Sequence, residues 1–536
     1  MYKNTFTKKD FNFKNISMKV NCHLPLSIAI LATILACKSN LAQNNASDYR
    51  IEQHRPQYHF TPQTSWMNDP NGMVYYAGEY HLFYQYFPDT TVWGPMHWGH
   101  ALSKDMLHWE HLPIALYPDK TGCIFSGSAV VDKENTSGFG TKGGENPLVA
   151  MFTLHDLAGE KIAGKIDIEV QGIAYSLDKG RTWAKYAQNP VIKNPNIRDF
   201  RDPKLMWHEA SKKWIVTLAV ANHVEFYSSK NLKDWQKAGG FGSKEGAHGG
   251  VWECPDLFPI KVEGTNEEKW VLMVSIGDGA PNGRSGTQYF VGDFDGKTFK
   301  NENIPDNIFW IDYGRDNYAG VTWSNAPDNR RLFLGWMSNW QYAQNVPTQK
   351  WRSAMTLPRE LFLKKTAQGN RLFQVPVKEI SSLENKWQSI EKQVVANTSQ
   401  AKNYSKCGEI YLEFDLSKST AKDFGLTCFN AKGEKISIGY ETATKRFYID
   451  RTVSGKLDFE PSFSGRHYAP RTATDNKLVL HLFIDVASVE LFADNGQTAV
   501  TDIFFPNEDF TQFQLFSNGG NAALNEGKMT ELKAMW

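Results

Sequence analysis

Trp66-Met67-Asn68-Asp69-Pro70-Asn71-Gly72 carries a pattern that this chain repeats twice. Phe200-Arg201-Asp202-Pro203 and Trp252-Glu253-Cys254-Pro255 again set one carboxylate against a proline or a Cys-Pro, ahead of an apolar run of strand type. A single Asp beside turn amides is ordinary, because its side chain accepts hydrogen bonds from neighbouring backbone. Three acids in one recurring local setting point instead to a pocket that collects one acid from each of several equivalent units.

The sequence around these motifs alternates short β-type runs with turn clusters, and long helical periodicity is scarce. Tyr80-His81-Leu82-Phe83-Tyr84 and Trp214-Ile215-Val216-Thr217-Leu218 are typical runs. A Ser/Gly–Asp turn closing on an aromatic also recurs, as Ser103…Trp109, Ser176…Trp183, Ser228…Trp235 and Gly292…Phe299. The closing aromatics give a period of roughly 50–70 residues with about four strands in each unit, the signature of propeller blades. A last unit from Gly320 through Trp340 brings the number of blades to five. In a propeller the innermost strands meet at one axial funnel, so equivalent acids converge although far apart in sequence. The acid–proline pattern ends at Pro358-Arg359-Glu360-Leu361, and Val375 to Trp387 reads as a linker with a short helix. From about Cys407 alternating strands return without such units, as in Leu478-Val479-Leu480-His481-Leu482-Phe483, which argues for a β-sandwich. The expected fold is all-β, a five-bladed propeller over residues 51–365, a linker over 366–395 and a sandwich over 396–536.

Composition excludes several function classes. Lys+Arg (59) and Asp+Glu (58) nearly balance in 536 residues, which argues against a nucleic-acid partner. Aromatics make up 13% with 17 Trp, which suits a ring-rich β core and a site that stacks sugar faces. Of six Cys, Cys22 lies in the leader; Cys407 and Cys428 could pair, but no spacing in the chain suggests a disulfide scaffold or a metal site. His97 and His100 lack a third ligand at suitable spacing, so no metal is expected. At the N-terminus Lys19 precedes the apolar stretch Leu24–Ala36, too short to span a bilayer and of signal-peptide size. Ile34-Leu35-Ala36-Cys37 resembles a bacterial lipobox, so residues 1–36 are expected to be a signal, Cys37 a lipid attachment point and 37–50 a tether. The alternative is plain secretion with cleavage near Ala42. An exported protein follows either way, periplasmic or at the cell surface.

Two carboxyl groups suffice for glycosidic bond cleavage. A retaining enzyme needs a nucleophile kept ionised by donors and an acid that holds its proton near neutrality. Asp69 has Asn68 and Asn71 beside it, and Glu253 lies between apolar Trp252 and Cys254-Pro255. Asp202, next to Arg201, is expected to stay a carboxylate and to face developing positive charge.

Taken together, Trp-Met-Asn-Asp-Pro-Asn-Gly, Arg-Asp-Pro and Glu-Cys-Pro in this order resemble the signature of glycoside hydrolase family 32, the β-fructosidases (invertases, inulinases, levanases). Phe83-Tyr84-Gln85-Tyr86, Trp98-Gly99-His100, Phe125-Ser126-Gly127-Ser128 and Leu334 to Trp340 extend the resemblance over residues 58 to about 530. It implies a five-bladed propeller followed by a sandwich. It also implies Asp69 as nucleophile, Glu253 as acid/base and Asp202 as transition-state stabiliser, with no cofactor. Asn68, Gln85, Trp93, Phe125, Ser126, Arg201, Asp316 and Trp336 would contact substrate. Ile124 stands where some relatives carry Trp, a difference expected at the pocket rim. The implied activity is retaining exo-hydrolysis of terminal fructosyl units of levan, inulin and sucrose by a monomer. An endo-levanase or a fructosyltransferase would share the same acids. A non-catalytic fructan-binding lipoprotein would be expected to have lost an acid, and an arabinan-cleaving propeller would lack the Trp66–Gly72 string.

Overall fold

A computed structural model describes residues 51–536, so the expected signal, tether and Cys37 lie outside the described residues. Five antiparallel sheets follow one another along the chain. Their innermost strands are Ser65–Tyr76, Cys123–Val131, Phe200–His208, Trp252–Lys261 and Tyr318–Thr322, and each touches the next around a closed ring. These are the blades of a five-bladed propeller. Ser65 and Trp66 in the first blade pair in parallel with Trp351 and Arg352, a segment leaving the last blade, which ties the ring shut. The last blade ends on Gly369–Pro376, taking in residues expected to belong to the linker, and a 3-10 helix, Lys378–Leu383, follows.

The acid–proline motifs have a physical reason. Each innermost strand breaks register, at Asn68-Asp69, Phe125-Ser126, Asp202-Pro203, Cys254-Pro255 and Ala319-Gly320, and the first breaks it again between Asn71 and Val74. Proline offers no N–H to a ladder and is tolerated at bulges, and a bulge re-aims the side chain beside it. Asp202, Cys254 and Ala319 take φ of +63°, +44° and +53° at these points. The recurring Ser–Asp turns join the third and fourth strands of blades. Asp105 accepts from the Leu107 and His108 amides and from Ser103 Oγ, and Asp178 repeats this with Thr182 and Ser176.

The C-terminal strands form a two-layer β-sandwich because one long strand, Gln512–Glu531, belongs to both layers. Its first half pairs with Asp423–Phe429 and its second half with Gly408–Asp415. Leu426, Ile438 and Phe447 from one layer pack against Leu412, Leu480 and Leu491 from the other. Cys428 is buried in that core and Cys407 outside it, against Asp485, both as free thiols.

Propeller and sandwich are joined through a buried charged seam as well as apolar packing. Arg359 pairs with Asp312 at 2.9 Å and with Glu490, and His59 bridges Asp485 (2.8 Å) and Glu490 (2.9 Å). Gly314 lies so close to the sandwich that a Cβ there would meet the Thr501 carbonyl at 2.0 Å.

Candidate active site

The bulges bring Asp69, Asp202 and Glu253 into one cavity of about 350 Å³ at one mouth of the propeller axis. Asn68, Gln85, Trp93, Phe125, Ser126 and Arg201 line it too, as do His155, Glu160, Glu169, Arg198, Asp199, Trp340 and Gln344. Asp69 is almost fully enclosed. Ser126 Oγ donates to its Oδ2 at 2.6 Å and Asn68 Nδ2 to its Oδ1 at 3.0 Å. Asn68 is itself held by Trp66 Nε1 at 2.7 Å, and Gln85 by the Ile124 carbonyl at 3.0 Å. Phe125 stacks on His155 with ring centres 4.2 Å apart and meets Trp93 edge-on.

Cys254 links two of the acids. Its thiol lies 3.5 Å from Asp69 Oδ2 and 3.6 Å from Asp202 Oδ2, while its backbone N–H donates to Asp202 at 3.0 Å. Burial pushes this thiol well above its ordinary pKa, and the neighbouring carboxylates push it further, so it stays protonated and can donate. Burial also raises Asp69; the Ser126 and Asn68 donors pull against that, and the charge of Glu253 adds to it. Asp202 is pushed up to about 8, by burial first and then by Glu253 and Asp69, against the pull of Arg201.

Two expectations about the acids change here. Burial and the charges of Glu253 and Asp69 outweigh the pull of Arg201 on Asp202, and the guanidinium makes its hydrogen bonds to other acids: Nε bonds Glu253 Oε1 at 3.1 Å, and one terminal nitrogen bonds Glu169 at 3.0 Å and Asp199 at 2.8 Å. Glu253 does not have apolar company. Strand alternation sends Trp252 into the inter-blade core, and Glu253 instead meets Arg201 and the hydroxyl of Tyr318, which donates to Oε2. Glu169 is opposed by its burial, yet Arg201, His155 and the Phe200 amide together hold it below the usual carboxylate range.

Asp316 and Trp336 do not reach the cavity. Asp316 is fully buried in the seam with the sandwich, where Arg451 (2.8 Å), Tyr342 Oη (2.6 Å) and the Ile503 amide (3.0 Å) take its oxygens. Trp336 is buried behind the wall against Trp66 and Trp340, and it is Trp340, four residues on, that lines the pocket. Ile124 is likewise in the core between blades rather than on the rim; only its carbonyl serves the site. Sequence reasoning missed Cys254 and Tyr318, although the first adjoins an acid. His155, Glu169 and Asp199 carry no local signal at all. Among the described residues no group of three or more His, Cys, Asp or Glu is placed to hold a metal ion.

Residues 59–376 match the Glycosyl hydrolases family 32 N-terminal domain, and residues 378–531 the Glycosyl hydrolases family 32 C terminal. A levanase of Bacillus subtilis (strain 168) is 50% identical over 518 residues, covering 95% of this chain and 75% of its own. An extracellular exo-inulinase of Aspergillus awamori is 39% identical over 518 residues, covering 90% and 96%. The crystal structure of exo-inulinase from Aspergillus awamori superposes with a TM-score of 0.85 at 38% identity, over 91% of this chain and 99% of that one. That of β-fructofuranosidase from Schwanniomyces occidentalis complexed with fructosyl-erythritol gives 0.81 at 33% identity, over 90% and 98%.

Proposed function

Because the chain belongs to glycosyl hydrolases family 32, we propose that it is an exo-acting, retaining β-fructosidase of levan, inulin and sucrose. The observation that carries this reading is the enclosed Asp69 carboxyl, gripped by Ser126 and Asn68 in a cavity it shares with Glu253 and Asp202. At about 350 Å³ the cavity is at the small end of ligand pockets (~300–1,000 Å³), which suits a chain end better than a length of polymer.

Asp69 attacks the anomeric carbon of a terminal fructosyl unit while Glu253 gives its proton to the departing oxygen, leaving a fructosyl ester on Asp69. Glu253, now a carboxylate, takes a proton from the water that attacks the same carbon, and Asp69 leaves as a carboxylate. Asp202 enters as the acceptor of sugar hydroxyls. Donation from those hydroxyls favours its anion, which then faces the positive charge of the transition state. Cys254 and Ser126 keep donors on the acids throughout. No cofactor is needed for these steps. The working protein is a monomer, exported and held to a membrane through lipid on Cys37, and intact-mass analysis of the mature protein tests that attachment.

A product time course on levan, inulin and sucrose tests the activity, with Glu253→Ala as control. Fructose alone from the earliest points, falling roughly 10²–10⁴-fold in the variant, is the expected result. Early oligosaccharides would make the enzyme endo-acting. NMR of the first-formed fructose reads the stereochemistry, and initial release of the α-anomer would overturn retention.

A further inference from the structure

A second, larger cavity of about 450 Å³ lies at the opposite ends of the innermost strands that build the acid pocket. Where the acid pocket takes Ser126, Arg201 and Glu253, this one takes Val131, Trp207 and Pro259 further along the same strands, and the two share no lining residue. On the strand Phe200–His208 the linings come nearest, at Asp202 and Lys204, which at ~3.3 Å per residue are no more than about 7 Å apart along the strand.

The cavity's floor is polar and incompletely satisfied. Asp256 is fully buried, and its Oδ2 accepts from the Thr322 amide (2.5 Å), Thr322 Oγ1 (2.8 Å) and Lys204 Nζ (3.0 Å). Its Oδ1 is buried with no partner in the protein. Buried carboxylate oxygens are rarely left so, because the lost hydration has to be replaced by donors. Trp207 forms a half-buried wall, edge-on to Trp214 with ring centres 5.2 Å apart, and Thr136, Ser324 and Asn325 add hydroxyl and amide groups. Acidic and basic side chains are mixed around it, and Asp132 is already engaged by the Thr136 and Ser137 amides. A lining of that kind has no field of one sign to select an ion. It suits a neutral ligand with hydroxyl donors and an apolar face.

We propose that this cavity is a second sugar-binding site, in which Trp207 stacks on the apolar face of a fructosyl unit whose hydroxyls meet the polar groups around it. The ligand class rests on the fructosidase reading above. A polymer held on the far face of the propeller stays near the enzyme while its ends are trimmed at the acid pocket, so the second site lowers KM for long substrates and does not change the turnover of sucrose.

The test is a calorimetric titration of Glu253→Gln protein with a short fructo-oligosaccharide, compared with the same protein carrying Trp207→Ala. Two binding events are expected in the first and one in the second. In the otherwise native enzyme, Trp207→Ala is expected to raise KM for levan roughly three- to tenfold while leaving kcat/KM for sucrose unchanged. A single binding event in Glu253→Gln protein overturns the proposal, and this holds even if Trp207→Ala fails to fold. An unchanged KM for levan overturns it too. If the native enzyme releases no fructose from any substrate, the fructosidase reading fails and this proposal falls with it; if it does release fructose but binds at one site only, this proposal alone fails.

Discussion

Ser126 Oγ is the nearest donor to Asp69, at 2.6 Å, and it offsets part of the burial that raises that carboxyl. Ser126→Ala removes a hydrogen bond that favours the ionised form, so the pKa of Asp69 rises and the acidic limb of the kcat/KM profile moves to higher pH. A hydrogen bond to a charged group contributes ~1.5–3 kcal/mol, so the rate at neutral pH falls roughly 10–100-fold. An unshifted limb would show that Asp69 does not need this donor. Asp202 gives a prediction of the opposite kind. Its pKa rises from 3.8 to about 8 on folding, so its ionised form opposes the folded state; that penalty is absent below pH 3.8 and grows as pH climbs toward 8. Asp202→Asn therefore abolishes activity yet raises Tm, by more at pH 7 than at pH 4. Equal shifts at both pH values would contradict the burial argument.

The working element is the bulged innermost strand. Its regular part supplies core packing and its bulge aims a side chain at the axis, so five copies deliver residues from distant sequence to one mouth. Gly72 is the fixed point of the first of these strands. It takes φ +53°, and a Cβ there would lie 2.6 Å from Phe83 Cδ2 and 2.8 Å from Trp98 Cζ3. Gly72→Ala adds left-handed strain of ~1–2 kcal/mol and overpacking of ~1–3 kcal/mol. A loss of about 2–4 kcal/mol is expected in urea denaturation, and a fall in activity should accompany it because Asp69 sits three residues away. A neutral result would mean that the Phe83 and Trp98 rings can yield.

For the whole molecule, the seam between propeller and sandwich is the feature that sets pH-dependent stability. His59, enclosed between Asp485 and Glu490, is raised from 6.5 to about 9: burial opposes its charge, but the two carboxylates outweigh it. The stability it contributes is fully present below pH 6.5 and is lost as pH rises through about 9. Removing one member of a buried ionic group costs ~3–5 kcal/mol. His59→Gln should therefore lower Tm clearly at pH 6, with the gap to the native protein narrowing above pH 9. A gap that stays constant across that range would place the effect in packing rather than charge. Asp485 and Glu490 work the other way, held below the usual carboxylate range despite their burial, and their contribution is lost only in acid.

Much of the architecture was legible in local sequence. Proline cannot serve a ladder, so the Asp-Pro and Cys-Pro steps marked the bulges. Ser–Asp turns marked the ends of third strands, and the change of pattern after Glu360 marked the approach to the sandwich. These are short-range consequences of backbone chemistry, and equivalent positions in repeated units must then converge. Which side chains meet across that convergence is a long-range matter. Asp316 was expected at the pocket but lies against Arg451, 135 residues away. Arg201 turned from its neighbour Asp202 to Glu253 and Glu169, and Trp340 rather than Trp336 reached the cavity. The charge on a buried acid and the seam around His59 depend on desolvation and on partners brought from other blades or the sandwich. No local pattern encodes those, because they exist only once the ring has closed.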